Sequence, residues 1–416
     1  MSFQLAASSF QTAAAALLLA IGLGGCRDAS GGAPKVDVTM ATVAAAGASN
    51  PSVAITHDDE TLVAWVGGEE AEDVWLARAS STGFAEPVRV NDVAGDAAAH
   101  GQAPAQVAVG PDGAVYVMWQ NNEHIEGRRF PASDLRFARS SDGGRTFEPA
   151  IHVNDDADGE PASHTFHDLV VAHDGTIYAS WIDGRGHAHG ADGHAAGGPD
   201  IRVARSTDGG RTFGPGTIVV SGACPCCRTN LAVGPDGAVY VAWRHVFEGS
   251  VRDIVVARSS DGGTAFGEPV RVHEDGWVFD GCPHAGPSIA VDGAGALHVV
   301  WFTGTQRRPG VFHATSRDGG RTFGEPRALA TGEFVPTSQV SLAPAADGVW
   351  IAYEENAGDG PRIRVAHAGA SGAAHVTQLD APAGMLPSLA ARGDALAVAW
   401  LDGESVRAML GSAGVE

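Results

Sequence analysis

Apolar and polar residues alternate in short paired runs along most of the chain. Runs such as LRFARS (135–140), IRVARS (201–206) and IVVARS (254–259) lead into a Gly-rich phrase, and PVRVND (87–92), TIVVSG (217–222) and PVRVHE (269–274) follow one. Period-two patterning on both sides of a tight turn predicts β-hairpins. The phrase recurs at Ser140–Phe147, Ser206–Phe213, Ser259–Phe266 and Ser316–Phe323, with a worn copy at Ser80–Phe84. A second phrase fills the other half of each repeat: QVAVGPDGAVYVMW (106–119), LVVAHDGTIYASW (169–181), NLAVGPDGAVYVAW (230–243) and SIAVDGAGALHVVW (288–301). Its Asp-Gly turns join two further strands.

Four antiparallel strands per repeat of 50–60 residues make the blade of a β-propeller. Weaker copies at 52–65, 340–353 and 388–400 bring the aromatic column to seven: Trp65, Trp119, Trp181, Trp243, Trp301, Tyr353 and Trp400. The expectation is an all-β propeller of seven four-stranded blades over residues 35–416, with six as the alternative. The last copy has no outer strand of its own. KVDVTMATVA (35–44) would supply it and close the ring between the termini, which leaves few open edges.

The Ser-x-Asp-x-Gly-x-Thr-Phe phrase resembles the Asp-box, or BNR repeat, of sialidase-like propellers. That resemblance implies that the boxes are structural turns between the third and fourth strands, away from the binding face. A sialidase of this family needs an arginine triad, a Tyr nucleophile paired with Glu, and an acid. Arg228, Arg244 and Arg252 are the candidates for gripping a carboxylate. Tyr116, Tyr178, Tyr240 and Tyr353 all sit at repeat packing positions, and the Arg-Ile-Pro signature is missing. The phrases CPCCRTN and GCPHAGP also resemble a group of exported bacterial proteins labelled only as sialidase-like, which implies a shared mouth but no activity.

Charge narrows the choice of partner. With 49 acidic against 27 basic residues the net charge is −22, which speaks against nucleic acid and against an anionic membrane surface. The apolar run 13–23 is too short to span a bilayer comfortably. It ends in Leu23-Gly24-Gly25-Cys26, which resembles a bacterial lipoprotein signal. This implies a signal peptide over 1–25, lipidation of Cys26, a tether over 26–34, and a chain anchored at the periplasmic face, outer membrane or cell surface. An ordinary secretory signal is the alternative.

The richest chemistry lies in the crossovers that enter each inner strand. Relative to the first inward polar residues Gln106, Asp168, Asn230 and Ser288, the position six earlier holds His100, Ala162, Cys224 and Cys282; the position four earlier holds Gln102, His164, Cys226 and His284. Cys227 and His167 lie in the same segments. Around a ring these columns would face one volume. Thiolate and imidazole together suit one Cu or Zn ion, with Met385 and the histidines of the 187–194 insertion as further candidates. The competing readings are disulfides, with Cys224–Cys282 the natural pair, and thiol redox chemistry. Asn154-x-Asp156-x-Asp158-Gly159 hints at calcium but lacks the later Glu. A metal chaperone, protein or glycan would be the partner.

Overall fold

The computed structural model describes residues 36–413 apart from 45–46, 69–70, 81–82, 129, 186–197, 333–338, 357–359, 370–373 and 378–382. The signal segment, Cys26, the tether, and His187, His189 and His194 therefore lie outside the described residues. Seven antiparallel sheets follow one another along the chain. Blade 4 is typical, with strands Asn230–Val233, Val239–Phe247, Val251–Ser259 and Val270–Arg271. Blade 7 takes Met385–Arg392, Ala395–Asp402 and Ser405–Ala413, and its outer strand is Val36–Ala44, with Met40 opposite Met409. The N-terminal strand thus closes the ring as the pattern predicts. Blade 1 departs slightly. Its outer edge is split into Gly83–Phe84 and Val88–Arg89, both paired with Asp73–Ser80.

The core lies between blades. Tyr178 and Val203 of blade 3, for example, pack in one cluster with Val239, Val241 and Trp243 of blade 4. Trp119, Trp181, Trp243, Trp301 and Trp400 are fully buried, as is Tyr353. A buried indole N–H needs an acceptor. Trp181 donates to Asp183 at 2.8 Å, Trp301 to Asp275 at 2.7 Å, and Trp119 to the Asp96 carbonyl at 2.6 Å.

The recurrent Gly-rich phrase forms a self-contained turn. Asp208 accepts from Arg211 N, Thr212 N and Thr212 Oγ1, while Ser206 Oγ accepts from Gly210 N. The Thr212 hydroxyl, then these backbone donors and Ser206, hold the Asp208 carboxyl well below the usual range. Gly210 has φ +78°, and a Cβ there would meet Phe137 at 2.6 Å, so only glycine fits. The Pro-Asp-Gly turns share this face. Arg258 bonds Asp236 of one such turn at 3.1 Å, and its Nε lies 3.5 Å from where a Cβ on Gly319 of the next blade's phrase would sit.

Around the channel a second set of bonds ties six of the seven blades to the next. Ser52 Oγ accepts from Val107 N (2.9 Å), Asp168 from Leu231 N (2.7 Å), and Asn230 from Ile289 N (2.6 Å). Ser288 accepts from Leu342 N (3.0 Å), Ser341 from Leu389 N (3.0 Å), and Ser388 from Val53 N (3.1 Å). Gln106 occupies the same column in blade 2. Ser52→Ala would leave the buried Val107 N–H without its acceptor, and is expected to lower stability by about 1–3 kcal/mol. Urea denaturation would measure it. A loss below about 0.5 kcal/mol, the size of an ordinary surface change, would show that this bond is dispensable.

Candidate metal centre at the mouth

Two crossovers meet above the channel between blades 3, 4 and 5. The first carries Cys224, Cys226 and Cys227, all buried. Its path is fixed by Cys224 N donating to the Arg244 carbonyl at 2.9 Å and Thr229 N donating to the Phe166 carbonyl at 3.0 Å. Cys224 Sγ lies 3.5 Å from Cys226 Sγ and 3.6 Å from Cys227 Sγ. Sulfur ligands about 2.3 Å from a tetrahedral ion are about 3.8 Å apart, so the three sulfurs already stand near the edge lengths of a coordination polyhedron. The second crossover brings Cys282 and His284, both exposed. Their ligand atoms and Cys226 Sγ all lie within 4.8 Å of one another.

Among the described residues no disulfide joins the four cysteines Cys224, Cys226, Cys227 and Cys282. For the disulfide reading, in which Cys224–Cys282 is the natural pair, the geometry differs: Cys226 is the cysteine grouped with Cys282, and Cys224 lies against Cys226 and Cys227. Hydrogen bonding with Cys226 and Cys227, with the Arg252 guanidinium donating at 3.0 Å, holds the Cys224 thiol well below its usual range. Facing that charge, the Cys226 thiol is pushed up, and Cys227 is raised to about 12, chiefly by burial.

The arginines do other work than the triad reading assigns them. A buried guanidinium must satisfy its fork of donors, and Arg244 does so on the chain itself. It donates to Ala285 O twice (3.0 and 2.8 Å), Arg252 O (2.8 Å) and Phe302 O (2.7 Å), and it lies over Trp277 at 4.9 Å. Arg252 donates to Phe279 O at 2.6 Å as well as to Cys224. Both are clamps that pin the Cys282 loop against blade 4, rather than a grip on a substrate carboxylate. Only Arg228 faces the channel, with Nη2 on Val340 O.

The histidines divide. His100 stands beside the outer ligands, its ring centroid 5.8 Å from His284 and 5.1 Å from Phe166. Burial first, then the charge of His284, lowers its pKa. His164 is elsewhere. Its Nδ1 meets Ser133 O at 2.7 Å and its Nε2 meets Asp156 at 3.1 Å, with Asp183 at 3.7 Å. Burial opposes its protonation, but these carboxylates outweigh it and raise its pKa. His167 is fully buried, and burial lowers its pKa to about 4. Neither joins the thiols, and Met385 is 42% exposed. In the calcium-like stretch, Asn154 bonds Asp134 and Leu135 N, and Asp156 is taken by His164 and Arg185.

Below the mouth runs a channel of about 250 Å³ lined by Asp168, Arg228, Asn230, Ser288, Gln339 and Ser388, among others. Burial pushes both Asp168 and Glu354 up to about 7, with Arg228 between them as partial compensation. The four tyrosines offer no nucleophile there. Tyr353 is buried and raised to about 12 by burial, and Tyr116 stacks on Phe137. For a carboxyl raised above its unfolded value, the folded state holds the extra proton, so stability is lost as pH climbs from about 4 to 7. The Asp168→Asn/Glu354→Gln double variant should therefore lose less melting temperature between pH 5 and pH 8 than the wild type. Equal losses would mean that these carboxyls do not carry the effect.

Neither a protein-family model nor a curated protein sequence matches the chain. Solved structures do. An ulvan lyase of polysaccharide lyase family PL25, bound to -[GlcA(1-4)Rha3S]-, aligns with TM-score 0.59 and 12% identity over 88% of this chain and 94% of its own. A Hadza microbial sialidase aligns at 0.51 and 16%, over 83% and 74%. The Penicillium chrysogenum α-L-arabinanase complexed with arabinobiose aligns at 0.51 and 16%, over 81% and 94%. At these identities the likeness establishes a sialidase-like propeller fold and stops there.

Proposed function

We propose that this propeller binds one thiophilic d10 ion, Cu(I) or Zn(II), at Cys224, Cys226 and Cys227, and that its role is metal handling, or a metal-dependent step, in the bacterial cell envelope. The observation that carries the reading is the trio of buried sulfurs at near-ligand spacing, with Arg252 balancing part of its charge. Soft sulfur donors in a buried pocket favour such ions over Ca or Mg. The ligand atoms of Cys282 and His284 lie beside the trio, within 4.8 Å of Cys226 Sγ. The lipoprotein-like start of the chain supports the location, with Cys26 as the anchor. The Asp-box resemblance and the glycan-active fold neighbours support descent from carbohydrate-active propellers. A hydrolase reading, however, lacks an arginine triad, since Arg244 and Arg252 are spent on carbonyls and a thiol.

Protein purified without oxygen is expected to carry about one Cu or Zn per chain by elemental analysis, with the thiols shielded from titration until the metal is stripped. Metal-free protein with no titratable thiols would replace this reading with disulfides. Fluorophore release from a sialoside, abolished by Arg228→Ala, would replace it with hydrolysis.

A second expectation concerns the clamp. Arg252→Met removes the charged donor to Cys224 and should weaken metal affinity by about 10–100-fold, the scale of outer-shell changes. Competition with a chromophoric Cu(I) chelator reads this directly. An affinity within about twofold of the wild type would show that Arg252 serves only the loop.

A further inference from the structure

The described residues contain two three-ligand sets, and they share an atom. Cys224, Cys226 and Cys227 form an inner set in which every member is buried; Cys226, Cys282 and His284 form an outer set whose other two members are exposed. Because Cys226 belongs to both, the sets cannot be filled independently by one ion. An ion held by the outer set is already bonded to one inner ligand. Moving it inward needs two ligands exchanged, with no release to water.

The outer set is also held in place rather than left to drift. His284 has a left-handed backbone (φ 50°), an unusual cost for a side chain with a Cβ. Its carbonyl accepts from Gln339 Nε2 at 2.6 Å, which fixes that conformation. Arg244 grips Ala285 O directly behind it, and Arg252 grips Phe279 O on the other side of Cys282. The loop that presents the exposed ligands is thus braced from two sides by the arginines that also frame the inner thiols.

We propose that Cys282 and His284 form a loading site, from which a thiophilic ion delivered by a donor thiol passes to the buried thiols by ligand exchange through Cys226. The inference rests on the metal-binding reading above and adds the route. The steps balance without redox change. Bonds from Cu(I) to Cys226 and Cys282 sulfur and to His284 nitrogen form as the donor's Cu–S bonds break, and the protons of the incoming thiols go to the departing donor thiolates. The bonds to Cys282 and His284 then break as those to Cys224 and Cys227 form; the Cys227 proton passes to Cys282, and any proton on Cys224 is released to solvent. Copper remains Cu(I) throughout.

The test uses anaerobic metal-free protein mixed rapidly with a Cu(I)–glutathione complex, followed by near-ultraviolet thiolate-to-copper absorption. Affinity is measured separately by chelator competition. Cys282→Ser and His284→Gln should each slow loading by about tenfold or more while changing affinity by less than about threefold. Cys227→Ser should instead lower affinity by about a hundredfold. Both loading residues are exposed, so the variants are expected to melt with the wild type. Loading at the wild-type rate in both variants would overturn the route. So would an affinity loss matching that of Cys227→Ser, which would make the five residues one site, or two Cu per chain, which would make Cys226 a bridge. A wild type that binds no Cu(I) at all would instead sink the metal reading itself.

Discussion

A hydrogen bond from the innermost N–H of one blade to a polar side chain of the blade before it recurs around the channel, and the arrangement of the mouth follows from it. Ser52, Asp168, Asn230, Ser288, Ser341 and Ser388 each accept such a bond, and the last returns to Val53 in the first blade. A propeller's inner strands are too far apart for a backbone ladder to run between blades, so their facing amides need another partner. A short side chain supplies it, and in doing so sets the height of each inner strand relative to its neighbour. The crossovers that feed those strands inherit the register. Two loops more than fifty residues apart in sequence, 224–227 and 282–284, can then meet with sulfur atoms a few ångströms apart.

Register alone would not hold the thiols. Burying a thiolate is costly unless charge and hydrogen bonds compensate, and here the compensation comes from residues that also do mechanical work. Arg252 donates to Cys224 and to Phe279 O, so one guanidinium stabilises the inner sulfur and anchors the outer loop. Arg244 spends its fork on carbonyls from three stretches, at Ala285, Arg252 and Phe302. Left-handed residues appear in the same tier of the molecule. Asn50, Phe166 and Leu386 lie at register shifts two residues before Ser52, Asp168 and Ser388, and His284 lies before Ser288. Such bulges re-aim side chains at the rim of a sheet, and two of these residues, Phe166 and His284, border His100.

The blades were legible in the sequence because a repeat averages out local ambiguity. Seven aromatic positions at one offset, with a period-two pattern around each, outweigh any weak copy. Even the closing strand at 36–44 could be inferred from what the last repeat lacked. The columns of Cys and His also pointed to the right height. What they could not give was direction. An offset of four placed His164 and Cys226 in one column, yet His164 turns outward to Asp156 and Asp183 because blade 3 supplies carboxylates there. Similarly, CPCC folds tightly enough that Cys224 lies against both Cys226 and Cys227, while Cys226 is the one grouped with the next crossover's Cys282 and His284. The arginines were hardest. Whether a guanidinium meets a cleft or its own chain depends on which carbonyls the fold leaves unsatisfied, and no spacing rule encodes that.

The fold shared with a lyase, a sialidase and an arabinanase places every crossover at one end of the ring, so the mouth is where the propeller can vary without disturbing its blades. In this chain the channel below the mouth is a poor place for a charged substrate. Burial pushes Asp168 and Glu354 up to about 7, and Arg228 is engaged with Val340. The thiol and imidazole groups gather above the channel, where the crossovers of adjacent blades meet. A ligand set straddling two rigid blades gains from the same closure that makes the propeller stiff, because neither loop can retreat without breaking a bond between blades. That stiffness suits a site built on sulfurs already at near-ligand spacing, where little ordering remains to be done when an ion arrives. It also fits the position of Cys226, the one cysteine among the described residues grouped both with Cys224 and Cys227 and with Cys282 and His284.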